Sequence, residues 1–545
     1  MNQFISGIMS KKGSAYTENG AVSYASTGKE LVDQFGKAAS YRGRDFSVVA
    51  DDQARLWREN PDAALKFPFY LRLITREVKV SETIKTEKVQ RGAGARDEAF
   101  KRILWIAYNH TDAFKRNAWL LPVVGSWKDL WTLMYLDADT KNKLDRNFIY
   151  GIMAAGLDDA TQCDLIRKYM PAIKSTDKCK TDRAKKMNEL AKGFASFLGL
   201  SAKEYRKMKA SGTAHDFQKL ICSRAYADID WKTIPGKALL SLVSGKFLDN
   251  HGLQKSYIEW IKSQPVAKFN GYPYELGAKL TLPGMYGWRG VKDVDLATKI
   301  TIDKQFENLI ATGKKNNGAI QGNVWCALDT SGSMESTIPG TQVTAMNVCL
   351  SLGIYFSTLN EGAFHKNVIM FDDTSRVKQL SGSFTEMWSQ VPANAMGSTN
   401  FQSVVNEIVR IRKENPNIPL DDYPTTLLVV SDMQFNPTSY WRRNEDSNVE
   451  ASQAKLRSVF PSEWVDNFKF VWWNVTSRRT EDMPSTLDDK NSYFFSGFDG
   501  ATISFLLGGD AEIVDEKTGQ KRIPTAEELV DIALGQEVFQ MIKCG

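Results

Sequence analysis

From about residue 50 to 310, apolar positions recur every three to four residues, as in Phe100, Ile103, Leu104, Ala107 and Tyr108, or Leu190, Phe194, Phe197 and Leu198. That period gathers apolar side chains on one face of a helix, and the period-two alternation of strands is nearly absent. Breakers separate the stripes at Asn60-Pro61, Leu121-Pro122, Met170-Pro171, Ile234-Pro-Gly236 and Gln264-Pro265. The pattern therefore predicts many helices in series, as a curved array of HEAT-like helical repeats or an irregular bundle. The first 45 or so residues, rich in Gly, Ser and Tyr, read as an arm, either ordered on other elements or flexible.

Beyond residue 320 the pattern changes. Apolar runs at 323–329, 367–372, 425–431 and 468–475 read as buried strands, and amphipathic helices lie between them, with Val343, Met346, Leu350 and Ile354 on one face. Alternating strands and helices imply right-handed crossovers and a doubly wound parallel sheet clad on both faces. Tyr493-Phe-Phe-Ser-Gly-Phe-Asp499 predicts an edge strand and 524–542 a last helix. Gly313-Lys-Lys-Asn-Asn-Gly318 reads as a linker, so the expected organisation is multidomain α + α/β: an all-helical module over 1–320 and an α/β domain over 321–545.

At 545 residues and 42% hydrophobic content the chain has material for more than one ordinary core. No apolar stretch reaches the ~18 residues that span a bilayer, and the start lacks the basic head and hydrophobic core of a signal peptide, so no membrane partner is expected. The six cysteines form no CxxC pair, which points away from zinc or a disulfide framework and towards a reducing, cytoplasmic setting.

Charge sharpens the division. Residues 1–320 carry 52 Lys+Arg against 35 Asp+Glu, and 321–545 carry 18 against 29. Within 165–209 there are thirteen basic residues and four acids. Concentrated cations bind a phosphate backbone by releasing its counterions, so Lys174, Lys178, Lys180, Arg183, Lys185, Lys186, Arg206, Lys207 and Lys209 are candidate RNA contacts. A solvated helix face would read the same way.

The chemistry concentrates at Asp329-Thr-Ser-Gly-Ser-Met334, which ends the first apolar run. Asp329, Ser331 and Ser333 place oxygen donors at alternate positions of the loop after a strand. Met396-Gly-Ser-Thr-Asn400 adds the hydroxyl of Thr399, and Leu427-Leu-Val-Val-Ser-Asp432 adds a second carboxylate. Two carboxylates with hydroxyls suit Mg²⁺ or Mn²⁺ that keeps waters and accepts one outside carboxylate or phosphate oxygen. The plainer alternative is that Asp329 and Ser331 cap the next turn without metal.

DxSxS, a lone threonine and a later aspartate resemble the metal-ion-dependent adhesion site of von Willebrand factor A domains. A helical module followed by such a domain resembles the Ro ribonucleoprotein autoantigens, whose TROVE module is a ring of helical repeats closed by an A domain. The chain is most similar to an uncharacterised Ro-like branch. The residues that carry this are Asn19-Gly20, Ser26-Thr-Gly28, Arg91-Gly-Ala-Gly-Ala-Arg96, Gly125-Ser-Trp-Lys-Asp-Leu130, Leu198-Gly-Leu-Ser201 with Glu204-Tyr-Arg206, Ser431-Asp-Met-Gln-Phe435, Trp473-Asn474 and Ser496-Gly-Phe498. The resemblance implies RNA binding, with single-stranded ends threading a basic ring and structured RNA held on its outer face.

Other features are equivocal. Trp105, Trp119, Trp127, Trp131 and Tyr135 could stack unpaired bases, but their spacing is also that of a packed helix pair, and core packing is the favoured reading. The glycine-rich stretch 91–96 is a phosphate cradle or an ordinary turn. Four histidines, His110, His215, His251 and His365, stand beside no nucleophile, and no GxSxG or HExxH motif occurs. No catalysis is expected. Two roles remain: an RNA-binding scaffold, or a metal-dependent protein-interaction module that grips a partner's carboxylate without RNA.

Overall fold

The computed structural model describes residues 14–80, 85–86, 88–212, 216–282, 291–320, 322–339, 341–391, 396–438, 446–476, 482–489, 491–498, 513–514, 521–522 and 524–544. In chain order the strands are β1 (Ser14–Tyr16), β2 (Val22–Tyr24), β3 (Ile74–Arg76), β4 (Gln90–Ala93), β5 (Val324–Asp329), β6 (Asn367–Phe371), β7 (Ser375–Gln379), β8 (Thr426–Ser431), β9 (Lys469–Asn474), β10 (Ser492–Ser496), β11 (Ile513–Val514) and β12 (Lys521–Arg522). Two compact units form, one from Arg44–Ile234 with Ala533–Gly545, the other from Met1–Gly43 with Pro235–Ile532. These units group residues 235–320 with the sheet, unlike a division at 320. They also segregate charge: the first unit has 36 basic and 26 acidic residues, the second 34 and 38.

The first unit is helical, as its periodicity predicts. Phe46–Glu59, Pro61–Arg72 and Arg96–Asn109 pack together; Arg96–Asn109 meets Lys128–Asp139, which meets Asp182–Phe197. The breaker Asn60-Pro61 divides two helices for a local reason. The Asn60 side chain accepts the Ala63 N–H at 3.0 Å, and Pro61 occupies the first turn, where its missing N–H costs nothing. The stripe Phe100, Ile103, Leu104 and Ala107 is buried. Phe197 differs: it is 42% exposed at the helix end. A short hairpin, β3 with β4, also falls where no strand pattern was read. Its strands are three and four residues long, the second with a glycine, too little sequence for alternation to show.

Gly125-Ser-Trp-Lys-Asp-Leu130 builds a buried ion pair. The Asp129 carboxylate accepts the Ser126 N–H at 2.8 Å and faces Arg72 at 2.6 and 2.7 Å, with side-chain exposures of 3% and 10%. Gly125 has no room for a side chain, since an added Cβ would lie 2.0 Å from that carboxylate.

The second unit carries the six-stranded sheet β10-β9-β8-β5-β6-β7, parallel except for β7. Four strands and the β10 edge lie where the apolar runs predict them. The antiparallel β7 was not read, because its sequence Ser-Arg-Val-Lys-Gln is a polar, mostly exposed edge. Alternation sends Trp325, Ala327, Leu427, Val429, Phe470 and Trp472 to one face, against Phe401, Val404, Val405 and Ile408. Trp473 goes to the other, 5.5 Å from the Phe356 ring of the Ala345–Leu359 helix. Helices cover both faces, so the sheet is a buried α/β layer.

The segment 313–318 is not a linker. The Leu296–Asn317 helix runs through it and ends at Gly318, whose φ of 76° closes the terminus. Gly313 is there for close packing, since a Cβ would meet the Tyr355 hydroxyl at 2.4 Å. Gly313→Ala is expected to lower stability by about 1–3 kcal/mol through overpacking, read by urea denaturation. A neutral result would mean that Tyr355 can swing away. The described residues of the first 45 are ordered: β1 pairs with β2, and Glu30–Lys37 is helical.

Candidate functional site

Strand register brings the predicted oxygens to one sheet edge. β5 lies between β6 and β8, with Leu328 opposite Val430, so Asp329 and Ser431 end neighbouring strands together. The Ser431 hydroxyl donates to Asp329 Oδ2 at 2.6 Å, and the Ser331 N–H donates to Oδ1 at 2.9 Å. Ser331 and Ser333 hydroxyls are 3.2 Å apart. Asp432 follows, its Oδ1 accepting the Gln434 N–H at 3.1 Å. The Thr399 loop is stitched to both neighbours. Gly332 N–H donates to the Gly397 carbonyl at 3.2 Å, Asn436 N–H to the Thr399 carbonyl at 2.9 Å, and Thr399 N–H to Asn436 Oδ1 at 3.3 Å. Asp329, Ser331, Thr399 and Asp432 are each no more than 1% exposed.

Ser431 is the member that sequence reasoning missed, although it directly precedes Asp432. A hydroxyl at a strand end ordinarily signals nothing; only the β5–β8 register aims it at Asp329.

Burial, then the charge of Asp432, pushes the Asp329 carboxyl above its ordinary range, against the pull of the Ser331 and Ser431 hydrogen bonds. Two buried carboxylates that raise each other's energy need a proton or a cation between them. The described residues contain no cluster of three or more His, Cys, Asp and Glu, so a cation here would rely on two carboxylates completed by hydroxyls. That donor set fits a small hard ion retaining waters, and gives no basis for zinc or a calcium cage.

The N-terminal arm braces this edge from behind. Thr17 Oγ1 donates to the Phe435 carbonyl at 2.7 Å and Asn19 Nδ2 to the Gln434 carbonyl at 2.5 Å, while Gln434 Oε1 accepts the Glu18 N–H at 2.8 Å. Asn19-Gly20 and Ser431-Asp-Met-Gln-Phe435, distant in sequence, form one contact.

The basic candidates lie in the helical unit, on Asp182–Phe197, Ala202–Ala210 and the segment before them. Lys174, Lys178, Lys180, Arg183, Lys185, Arg206 and Lys207 are exposed. Lys186 is largely spoken for by Asp139 and, at 2.8 Å, Asp182. Arg206 Nε donates to the Ile173 carbonyl at 3.1 Å and Lys209 Nζ to the Lys168 carbonyl at 3.3 Å. Burial lowers the Lys209 ammonium below its usual range, so these two also fasten their helix. The fastening explains Glu204-Tyr-Arg206: Glu204 boxes the helix start with Ser201, and the buried Tyr205 donates to the Pro171 carbonyl at 3.0 Å.

Several of the remaining glycine, aromatic and histidine candidates pack against neighbouring groups. Gly92 lets β4 close on Leu73, where an added Cβ would lie 2.3 Å from the Leu73 carbonyl oxygen, and the Gly94 N–H donates to that carbonyl at 2.9 Å; Gln90–Ala93 is strand and Arg96 opens the next helix. Trp105 packs at a tilt against Trp57 and His110, the Trp127 N–H donates to Gln162 at 3.0 Å, Trp131 is buried, and Trp119 is 40% exposed. His110 lies on the Trp57 ring, His365 meets the Asn360 carbonyl at 2.6 Å and His251 packs on Phe247. His215 lies outside the described residues. No helix among the described residues is long and apolar enough to cross a membrane.

A family model described as a domain of unknown function (DUF7788) matches residues 324–536. The chain is 21% identical over 530 residues to the uncharacterized protein L728 of Acanthamoeba polyphaga mimivirus, covering 91% of this chain and 85% of that protein. Among solved structures it is similar to the Ro (RSR) protein of Deinococcus radiodurans, with 13% identity, a TM-score of 0.40, and coverage of 90% of this chain and 95% of that one.

Proposed function

We propose that this protein is a non-catalytic, Ro-like RNA-binding scaffold. The helical unit holds RNA, and the sheet unit is a von Willebrand factor A-like domain. Asp329, Ser331, Ser333, Thr399 and Asp432 would hold Mg²⁺ or Mn²⁺ there, leaving a position for a partner's carboxylate or phosphate oxygen. The observation that supports the RNA reading most is the set of exposed cations on neighbouring helices and the segment before them: Lys174, Lys178, Lys180, Arg183, Lys185, Arg206 and Lys207 are all exposed. A polyanion gains by displacing counterions there whatever its sequence. For the metal, the support is the pair of buried carboxylates at one loop cluster, with the Ser331 hydroxyl beside Asp329 and 3.2 Å from that of Ser333.

Affinity for a mixed single-stranded RNA pool, measured against salt, tests the first part. The logarithm of the binding constant should fall with log salt at about −0.7 per phosphate contacted, and reversing Lys174, Lys178, Lys180 and Lys185 to Glu should make the slope shallower by about 2 to 3. Absence of binding at low salt would leave the metal-dependent protein-interaction role in its place.

A further inference from the structure

We infer that the turn of the N-terminal hairpin is a working part of the cation site: through Gln434 it positions Asp432, so that docking of the arm and binding of the cation strengthen each other. This deepens the metal reading and rests on it. β1 and β2 pair from Ser14 with Tyr24 to Tyr16 with Val22, which leaves Thr17 to Ala21 as the turn. The Gly20 N–H closes it on the Thr17 carbonyl at 2.9 Å, with Gly20 at a φ of 90° that its place in the turn requires. The turn is seated on the loop that follows Asp432. Ala21 is buried in one core cluster with Met433 and Phe435, and a Cβ on Gly20 would lie 3.6 Å from Pro437.

Gln434 carries the coupling. It is 2% exposed, and each of its polar groups has a different partner. Its N–H donates to Asp432 Oδ1 at 3.1 Å and its carbonyl accepts Asn19 Nδ2 at 2.5 Å, while its Oε1 accepts the Glu18 N–H at 2.8 Å and its Nε2 donates to Asp482 Oδ2 at 2.6 Å. A buried amide satisfied on every side is fixed in one place, and it fixes what it holds. Between it and Asp432 stands Met433, 1% exposed, with a φ of 65°. A methionine keeps that backbone conformation only where its surroundings impose it. Its N–H donates at 2.9 Å to the Ser431 hydroxyl, the same group that donates to Asp329. On the far side of Gln434, the Phe435 carbonyl accepts Thr17 Oγ1, and Asn436 holds Thr399. One turn thus grips the loop between two of the predicted ligands.

A cation that draws Asp432 towards Asp329 favours the loop conformation that the turn also favours. Two ligands of one conformation reinforce each other equally in both directions, so an arm that raises cation affinity is itself held more tightly once the cation is bound. A brace without this coupling adds stability and leaves cation affinity unchanged. Reciprocity therefore separates the two.

The test is amide hydrogen exchange together with Mg²⁺ titration followed by thermal unfolding, both on the full chain. Mg²⁺ should slow exchange across residues 14–24 about threefold to tenfold in the parent, and not at all in Asp432→Asn. Gln434→Met, which keeps the length of the side chain and removes its hydrogen bonds, should raise the Mg²⁺ dissociation constant about threefold to tenfold. Asn19→Ala, at the exposed tip of the turn, should raise it about twofold to fivefold. Gly313→Ala, which destabilises the same unit through Tyr355, is the control and should leave it unchanged. If Mg²⁺ stabilises the parent while Gln434→Met and Asn19→Ala bind it as the parent does, or if Gly313→Ala weakens binding as much as they do, the turn is a brace only and the inference is overturned. If Mg²⁺ does not stabilise the parent at all, the metal reading fails and the coupling falls with it.

Discussion

Asp129→Ala is expected to destabilise the helical unit by about 3–5 kcal/mol, because it strips the partner from a buried arginine. Arg72 is 10% exposed on its side chain and meets Asp129 through two nitrogens at 2.6 and 2.7 Å. Arg76 stands close enough that burial and the Arg72 charge lower its guanidinium below the usual range, with Asp129 opposing them. Removing the carboxylate leaves the buried Arg72 guanidinium without its counter-charge, near the like charge of the more exposed Arg76. It also frees the Ser126 N–H, which the same carboxylate accepts at 2.8 Å. Chemical denaturation should show the loss, and the double variant Asp129→Leu with Arg72→Met should recover much of it, because an apolar pair of similar volume avoids the desolvation cost. If the single variant loses less than about 1 kcal/mol, water reaches Arg72 and the pair is not sealed.

This pair shows how far the sequence could be read. Gly125-Ser-Trp-Lys-Asp-Leu130 stands out as a motif, yet nothing local tells whether it binds a ligand or holds the fold. Arg72, 57 residues earlier, supplies the answer. The same holds for Trp473, whose N–H donates to the Gly497 carbonyl at 2.8 Å, and for Asn19 on Gln434. Motifs that look functional in isolation pair with one another as structural contacts.

Periodicity worked where burial is one-sided or complete: the long stripes of the helical unit, and the fully buried runs of β5, β8 and β9. It failed where the reason for a residue is tertiary. Lys314 to Asn317 look like a linker, but they finish a helix whose Gly313 answers to Tyr355. Asp329, Ser331, Ser333, Thr399 and Asp432 could be read as belonging to neighbouring loops because strand ends in a parallel sheet converge; whether they hold an ion is the proposal. Ser431 could not, since its role depends on register.

The second large effect concerns that edge. Asp432→Asn should abolish Mg²⁺-dependent stabilisation while making the metal-free protein more stable by about 1–3 kcal/mol, since the buried like-charge contact with Asp329 disappears. Both signs follow from one cause. Without a cation, two carboxylates share a buried corner, and the Asp329 carboxyl is already driven above its ordinary range by burial and by Asp432. With a cation the same closeness becomes attraction, and an ion at 100 times its dissociation constant adds about 2.7 kcal/mol. Asp329→Asn should lose the same response, and the double variant should gain less than the sum of the two, because removing either charge ends the repulsion. The capping alternative predicts otherwise. If Asp329 and Ser331 only satisfy local N–H groups, each substitution destabilises modestly and Mg²⁺ shifts the melting temperature of no variant, nor of the parent. Thermal unfolding of parent, both single variants and the double variant, with Mg²⁺ and with chelator, separates the cases. A magnesium shift equal in parent and Asp432→Asn would move the ion away from this edge altogether.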